Sequence, residues 1–149
     1  MDELLSRQMP HSAEAEQAVL GSILIDERCV PQVMEHLKAE DFYLRQNREL
    51  FECIGAMFNY SEAIDPVTVL EKLKQLGYYD EATSYDYIRQ LMLITPTAAN
   101  VEEYINIVKD KALLRRVAET AGGITAMIQA GQASSQEALE WAEQQIYAI

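Results

Sequence analysis

The side chains that could do chemistry are few, and their spacing works against most of it. Cys29 and Cys53 belong to no Cys-x-x-Cys pair, so they read as small core residues kept reduced. His11 and His36 each lack a His or Cys at ligand spacing, which opposes a zinc site and favours surface positions. Glu14, Glu16, Glu35, Glu40, Asp41, Glu49 and Glu52 could supply carboxylates for a metal site inside a helical bundle. Such a site needs Glu-x-x-His on facing helices, yet Gln8 and Val33 stand three residues before the two histidines. These carboxylates are expected on solvated faces.

Phosphate chemistry finds no footing either. Gly21, Gly55, Gly77, Gly122, Gly123 and Gly131 fall in no Gly-x-x-x-x-Gly-Lys-Ser/Thr frame, so P-loop hydrolysis of ATP by this segment is excluded. No local arrangement favours a Ser-His-Asp or Cys-His nucleophile. No catalytic, cofactor-binding or metal-ligating residue is therefore assigned, and no cofactor is expected in this segment. The competing reading is an autonomous helical domain with an unrecognised enzymatic, metal or ligand site.

The charge balance narrows the partners. Twenty-four acidic against 12 basic side chains give a net charge of −12 over 149 residues. Neutralising DNA phosphates requires clustered Lys and Arg, and the longest basic cluster is Arg115-Arg116. Direct, tight nucleic-acid binding by this chain alone is not expected. No apolar run approaches the roughly 20 residues that span a bilayer. The start Met1-Asp2-Glu3-Leu4-Leu5-Ser6-Arg7 lacks the basic-then-apolar layout of a signal peptide. A cytoplasmic protein without membrane contact is the expectation.

The elements read as helices throughout. Ser12 can cap a helix carrying Val19, Leu20, Ile23 and Leu24 at three-four spacing. Leu50, Phe51, Ile54, Met57 and Phe58 repeat that pattern. Asp65-Pro66 is a start signal, Val67, Leu70, Leu73 and Leu76 make one face, and Gly77 stands where a left-handed stop is wanted. A short helix carries Ile88, Leu91 and Met92. No sustained apolar-polar alternation appears, so a sheet is not expected.

Thr95-Pro96-Thr97 marks the clearest boundary. Beyond it Asn100 and Glu103 suit a capping box, and the helix they open can run to about Ala130, about 45 Å. Ser134 and Glu137 suit another box for a last helix with Leu139, Ala142, Ile146 and Ile149 on its buried face. The expected fold is all-α: a compact helical lobe over residues 1–95 and an antiparallel two-helix hairpin over 96–149. Gly122-Gly123, mid-helix, points to close packing or a kink rather than a functional hinge. The chain stops at Ile149 in helical register, which suggests a domain cut from a longer protein.

A two-helix hairpin encloses no core, so it must dock on the lobe or on another chain. Val108, Leu114, Val117, Ile124 and Ile128 drift around the long helix rather than forming one narrow seam, which suits contacts on two sides. Tyr85 and Tyr87 lie adjacent in phase to Ile88 and Leu91. Both rings hardly fit on one narrow face, so one is expected to emerge as an interface anchor. The candidate interface residues are Tyr87, Val108, Leu114, Val117, Ile124 and Ile128.

Pro10-His11-Ser12-Ala13-Glu14-Ala15-Glu16-Gln17-Ala18-Val19-Leu20-Gly21 resembles the opening signature of the DnaB-type replicative helicases. Further blocks follow in the family's order: Glu40-Asp41-Phe42-Tyr43, Leu50-Phe51, Ile64-Asp65 with Thr68-Val69, and Pro96 to Tyr104 leading into Leu114-Arg115-Arg116. Two positions depart from the pattern. Asn47 stands where a histidine is common, and Gly122-Gly123 where the family usually favours the helix, which puts the hairpin's rigidity in doubt. The resemblance implies an N-terminal domain with a dimerisation hairpin, belonging to a parent whose C-terminal ATPase domain is absent from this chain. ATP and Mg would serve only that missing domain. This tier would form a ring collar, with hairpins pairing into dimers and three dimers making a hexamer. It would also receive the C-terminal domain of primase, and DNA would be met only by the full-length ring.

Overall fold

The computed structural model describes residues 9–149; the stretch Met1–Arg7 read above lies outside the described residues. Among these residues the regular structure is entirely helical. The all-α expectation is met. The chain divides into two compact units. One is His11–Lys109, and the other joins residues 9–10 to Asp110–Ile149. The division thus falls inside a helix, past the Thr95-Pro96-Thr97 loop, because Val101, Ile105 and Val108 are buried with the core of the first unit.

In the first unit, α1 (Ala13–Ile25) is the central helix. Ala15, Glu16 and the run Val19–Leu24 are all buried, so it is enclosed on nearly every side. Ser12 caps it, accepting from the Ala15 amide at 3.1 Å. A 3-10 turn at Glu27–Cys29 leads to the short α2 (Val30–His36), which the sequence reading passed over. A second 3-10 turn, Ala39–Asp41, precedes α3 (Arg45–Asn59). That helix buries Leu50, Phe51, Cys53, Ile54 and Met57, and the Phe51 ring lies 4.7 Å from that of Phe42. Each such side chain contributes about 1.5–3 kcal/mol on burial.

α4 (Pro66–Gln75) begins as its sequence predicts. The Asp65 carboxylate accepts from the Thr68 amide at 2.9 Å, and the Thr68 hydroxyl accepts from the Asp65 amide at 3.0 Å. Gly77 ends it at φ +78°, in the left-handed region that a side chain disfavours. α5 (Ser84–Ile94) then packs along α1. Gly21 is where the two helices close: a Cβ there would lie 2.0 Å from Thr95 Oγ1 and 2.6 Å from the Leu91 carbonyl oxygen.

α6 (Val101–Gln129) is a single helix, and no break interrupts it at Gly122-Gly123. Within the second unit its C-terminal half pairs with α7 (Ser135–Tyr147). Gly131, at φ +72°, makes the turn, and Ser134 caps α7 by accepting from the Glu137 amide at 3.2 Å. A Cβ on Gly123 would make an ordinary van der Waals contact 3.7 Å from the Trp141 ring, and one on Gly122 would meet nothing within 4 Å, so packing within the protomer requires neither glycine. Arg115, nearly buried, donates from Nη1 to the Pro10 carbonyl at 2.8 Å. Among the described residues no helix is long and apolar enough to cross a membrane.

Candidate protein-interaction surface

Two of the carboxylates expected in water are not there. Glu16 is 1% exposed and Asp41 is buried with it. The Glu16 carboxylate accepts from the Tyr43 and Leu44 amides at 2.9 and 3.3 Å and from Asn47 Nδ2 at 3.0 Å. It thereby satisfies backbone donors at the start of α3, which has no side-chain cap of its own. Asp41 accepts from the Lys38 amide at 2.8 Å, closing the turn that leads there. Three-four apolar spacing behind the Ser12 cap marks α1, but nothing in it marks Glu16 as pointing inward. His11, read as a surface residue, is partly buried and stacks on Tyr43 with ring centroids 4.3 Å apart.

Tyr87 is tied into the same network, its hydroxyl donating to Asn47 Oδ1. Burial foremost raises its phenol pKa above the ordinary value. Its neighbour Tyr85 is the ring that emerges, in line with Arg89 and Leu93 on the exposed side of α5. Tyr87 instead lines a polar cleft of about 340 Å³ with Arg45, Glu49, Tyr78, Tyr79 and Thr83. At the cleft's edge the Tyr78 hydroxyl donates to Glu52 at 2.7 Å, and that bond raises the Tyr78 pKa. Nothing in this cleft pairs a nucleophile with a base. Among the described residues no group of three or more His, Cys, Asp or Glu side chains comes together to hold a metal ion.

The hairpin carries a run of exposed apolar side chains. Leu114, Val117, Ile128, Leu139 and Ile146 are all exposed, Leu114 by 51% and Ile128 by 59%. No residue of α7 is buried. Val108 stands apart from the other candidates: it is 2% exposed in the core of the first unit and offers no surface. With Val108 set aside, the remaining candidates do not drift. Leu114, Val117 and Ile128, with Ala121 between them, share one exposed stripe of the helix, and the half-buried Ile124 borders it on the side of α7.

The geometry of that stripe follows from the hairpin. The half-buried Thr120, Gly123, Ile124 and Met127 turn toward α7, where Trp141 meets Gly123. Leu114, Val117, Ala121 and Ile128 lie on average about 100° further round α6, at about 100° per residue. On α7, Ala138, Trp141, Ala142 and Gln145 are half-buried, and Leu139 and Ile146 are offset from them in the same sense. In an antiparallel pair, equal offsets place residues on one broad face. Both helices therefore contribute to a single apolar face. The reverse face carries Glu119, Glu137 and Gln144, all exposed.

Comparison with known proteins agrees with this architecture. The profile of the DnaB-like helicase N-terminal domain matches residues 8–110. The replicative DNA helicase DnaB of Leifsonia xyli subsp. xyli is 33% identical over 148 residues, which is 99% of this chain and 32% of that one. That of Geobacillus stearothermophilus is 38% identical over 125 residues, or 83% of this chain and 28% of the relative. The chain thus spans about a third or less of the curated relatives it matches. The crystal structure of the N-terminal domain of DnaB helicase from Mycobacterium tuberculosis superposes with a TM-score of 0.88 at 33% identity, covering 95% of this chain and all of that one. The N-terminal domain of the Helicobacter pylori DnaB helicase, studied with its interactions with primase, shares the fold at a TM-score of 0.67 and 21% identity, covering 77% of this chain and 89% of that one. By a profile covering most of its length and a full-length structural match at one-third identity, the chain belongs to the family of DnaB-like helicase N-terminal domains.

Proposed function

We propose that this chain is the non-catalytic, assembly-forming tier of a replicative DNA helicase. Its hairpin joins copies into dimers, three dimers close a hexameric collar, and the collar receives the C-terminal domain of primase. ATP hydrolysis and DNA translocation belong to a C-terminal motor domain outside this chain, with ATP and Mg bound there. DNA is engaged through the full-length ring, in keeping with the net charge of −12 here.

The observation that carries this reading is the unpartnered apolar face on Leu114, Val117, Ile128, Leu139 and Ile146. An exposed, contiguous apolar face rimmed by polar residues marks an interaction surface. Primase as a partner is supported by the interactions described for the Helicobacter pylori domain. The exposed ring of Tyr85, beside Arg89 and Leu93, gives the lobe a surface of the composition that interface anchors favour.

Light scattering after size exclusion tests the assembly. Dimers or larger species are expected at tens of micromolar, an order-of-magnitude choice for a moderately tight interface. A strict monomer at millimolar concentration overturns it. Titration calorimetry with the cognate primase C-terminal domain tests the partner. ATP turnover by this chain above a buffer control, stimulated by single-stranded DNA, overturns the non-catalytic assignment.

A further inference from the structure

The 340 Å³ cleft of the first unit brings aromatic rings together with carboxylates. Tyr78 and Tyr79, which follow α4, line it with Tyr87 of α5. Tyr78 and Tyr87 already direct their hydroxyl protons to Glu52 and Asn47, so they can offer the cleft a ring and an oxygen lone pair. Glu49 of α3 and Asp80, in the loop before α5, share the lining. Glu52, held by Tyr78, stands one turn along α3 from Glu49. Arg45 also lines the cleft, but its side chain is 83% exposed and reaches Glu49 from the solvent side at 3.2 Å.

This arrangement does not suit an anion. The amino end of α5 opens on the cleft at Thr83 and Ser84, yet Asp80 already occupies the amides there. Its carboxylate accepts from the Ala82 amide at 2.8 Å, and its carbonyl accepts from the Thr83 and Ser84 amides at 3.2 and 2.9 Å. A net charge of −12 disfavours an anion further. A cation is favoured, and the protein shows the contact once within itself. Lys74 Nζ lies 4.9 Å from the centroid of the Tyr79 ring.

We infer that this cleft receives an arginine side chain from a basic segment of a partner protein. The guanidinium lies against the tyrosine rings and donates its paired N–H groups to Glu49 and Asp80. Arginine fits better than lysine because its cation is planar, weakly hydrated and forked, so it stacks on rings and bridges carboxylates at once. Ligand sites span roughly 300–1,000 Å³, and a cleft at the small end of that range suits one long side chain. Nucleic acid has no such cation to present, and its phosphates would meet Glu49 and Asp80. Arg45 is the internal competitor for Glu49. An exposed pair of this kind is weak, so an incoming guanidinium displaces it at little cost.

Amide NMR titration of the whole chain tests the site, with the blocked peptide Gly-Ser-Arg-Ser-Gly as the probe. Saturable shifts are expected at Tyr78, Tyr79, Asp80 and Thr83, with a dissociation constant of roughly a millimolar, as one anchoring side chain gives. The same peptide with citrulline, which keeps the shape and loses the charge, is expected not to bind, and the lysine peptide to bind at least threefold more weakly. Glu49→Gln and Asp80→Asn are each expected to weaken binding at least threefold; the asparagine keeps an acceptor for the Ala82 amide, so the loop is retained. Arg45→Ala is expected to strengthen binding, the opposite of what a loosened fold would do. Glu119→Gln, an exposed acid on α6, is expected to change nothing. Equal binding of the arginine and citrulline peptides overturns the assignment, as do unsaturable shifts spread over the acidic surface or indifference to both Glu49→Gln and Asp80→Asn. Agmatine binding more tightly than the peptide would make a free small cation the occupant and overturn the partner-protein reading.

Discussion

Glu16 of α1 holds Asn47 of α3 by a 3.0 Å hydrogen bond from the asparagine amide, at a point where both side chains are out of water. Asn47 in turn accepts from the Tyr87 hydroxyl on α5. Three helices are thereby fixed to one another by a polar chain through the core of the first unit. A buried carboxylate is tolerated only when its lone pairs are filled, and the Tyr43 and Leu44 amides complete the set. Removing the acceptor leaves those donors buried and unmatched. Glu16→Ala is expected to cost about 3 kcal/mol, at the scale of a broken buried charged network. Denaturant unfolding with unchanged slope checks it, and a loss below about 0.5 kcal/mol, typical of surface substitutions, would contradict the placement.

The two tyrosines of α5 are expected to separate cleanly. Tyr87→Phe removes only the hydroxyl that Asn47 accepts, so stability falls by about 1 kcal/mol. Tyr85→Ala should leave the melting curve nearly unchanged, since its ring is mostly in solvent, but should weaken primase binding in calorimetry. Equal effects of both on stability would show that the two rings are not divided between core and surface.

Gly21 has no room for a side chain. Its added Cβ would meet both the Thr95 hydroxyl and the Leu91 backbone carbonyl. Gly21→Ala therefore forces α1 and α5 apart and is expected to destabilise by roughly 1–3 kcal/mol, as overpacking does. Combining it with Thr95→Ala should recover only part of the loss, because the Leu91 carbonyl remains. Thermal melts of the single and double variants give the comparison.

Both thiols are held protonated. Burial, with the negative charge of Asp26 next, pushes Cys29 up to about 11, and burial, with Glu52 next, pushes Cys53 up to about 11. Neither should react appreciably with a thiol reagent at neutral pH without unfolding. The sign for stability follows from these raised values. The unfolded thiols ionise near 9, so the contribution is full below that pH and is lost as pH rises toward about 11. Denaturation midpoints between pH 8 and 11 should fall, and replacing Cys53 by Ala should flatten that fall.

The hairpin face gives the most direct surface prediction. Leu114→Asp is expected to weaken self-association by at least tenfold, because the assembled state would bury an unpaired carboxylate. Its melting temperature as a monomer should stay near that of the parent, since Leu114 is half in solvent within the protomer. Sedimentation at matched concentrations checks the first, calorimetric melting of diluted protein the second.

Much of this protein is local physics and is legible in the chain. Ser12, the Asp65-Pro66 pair, Gly77 and Ser134 set helix ends through their own hydrogen bonds or backbone freedom, which need no distant partner. The three-four spacing from Leu114 to Ile128 was equally present in the sequence, but the inclusion of Val108 blurred it. What that spacing faces could not be read, because a seam looks the same whether its own lobe, its hairpin neighbour or solvent lies opposite. Only the folded chain sends Val108 to a core and leaves Leu114 bare. The inward turn of Glu16 was beyond the sequence for a related reason. A carboxylate's environment is set by the amides brought to it from residues 27 and 28 further along the chain, and that meeting exists only once α1 and α3 have packed.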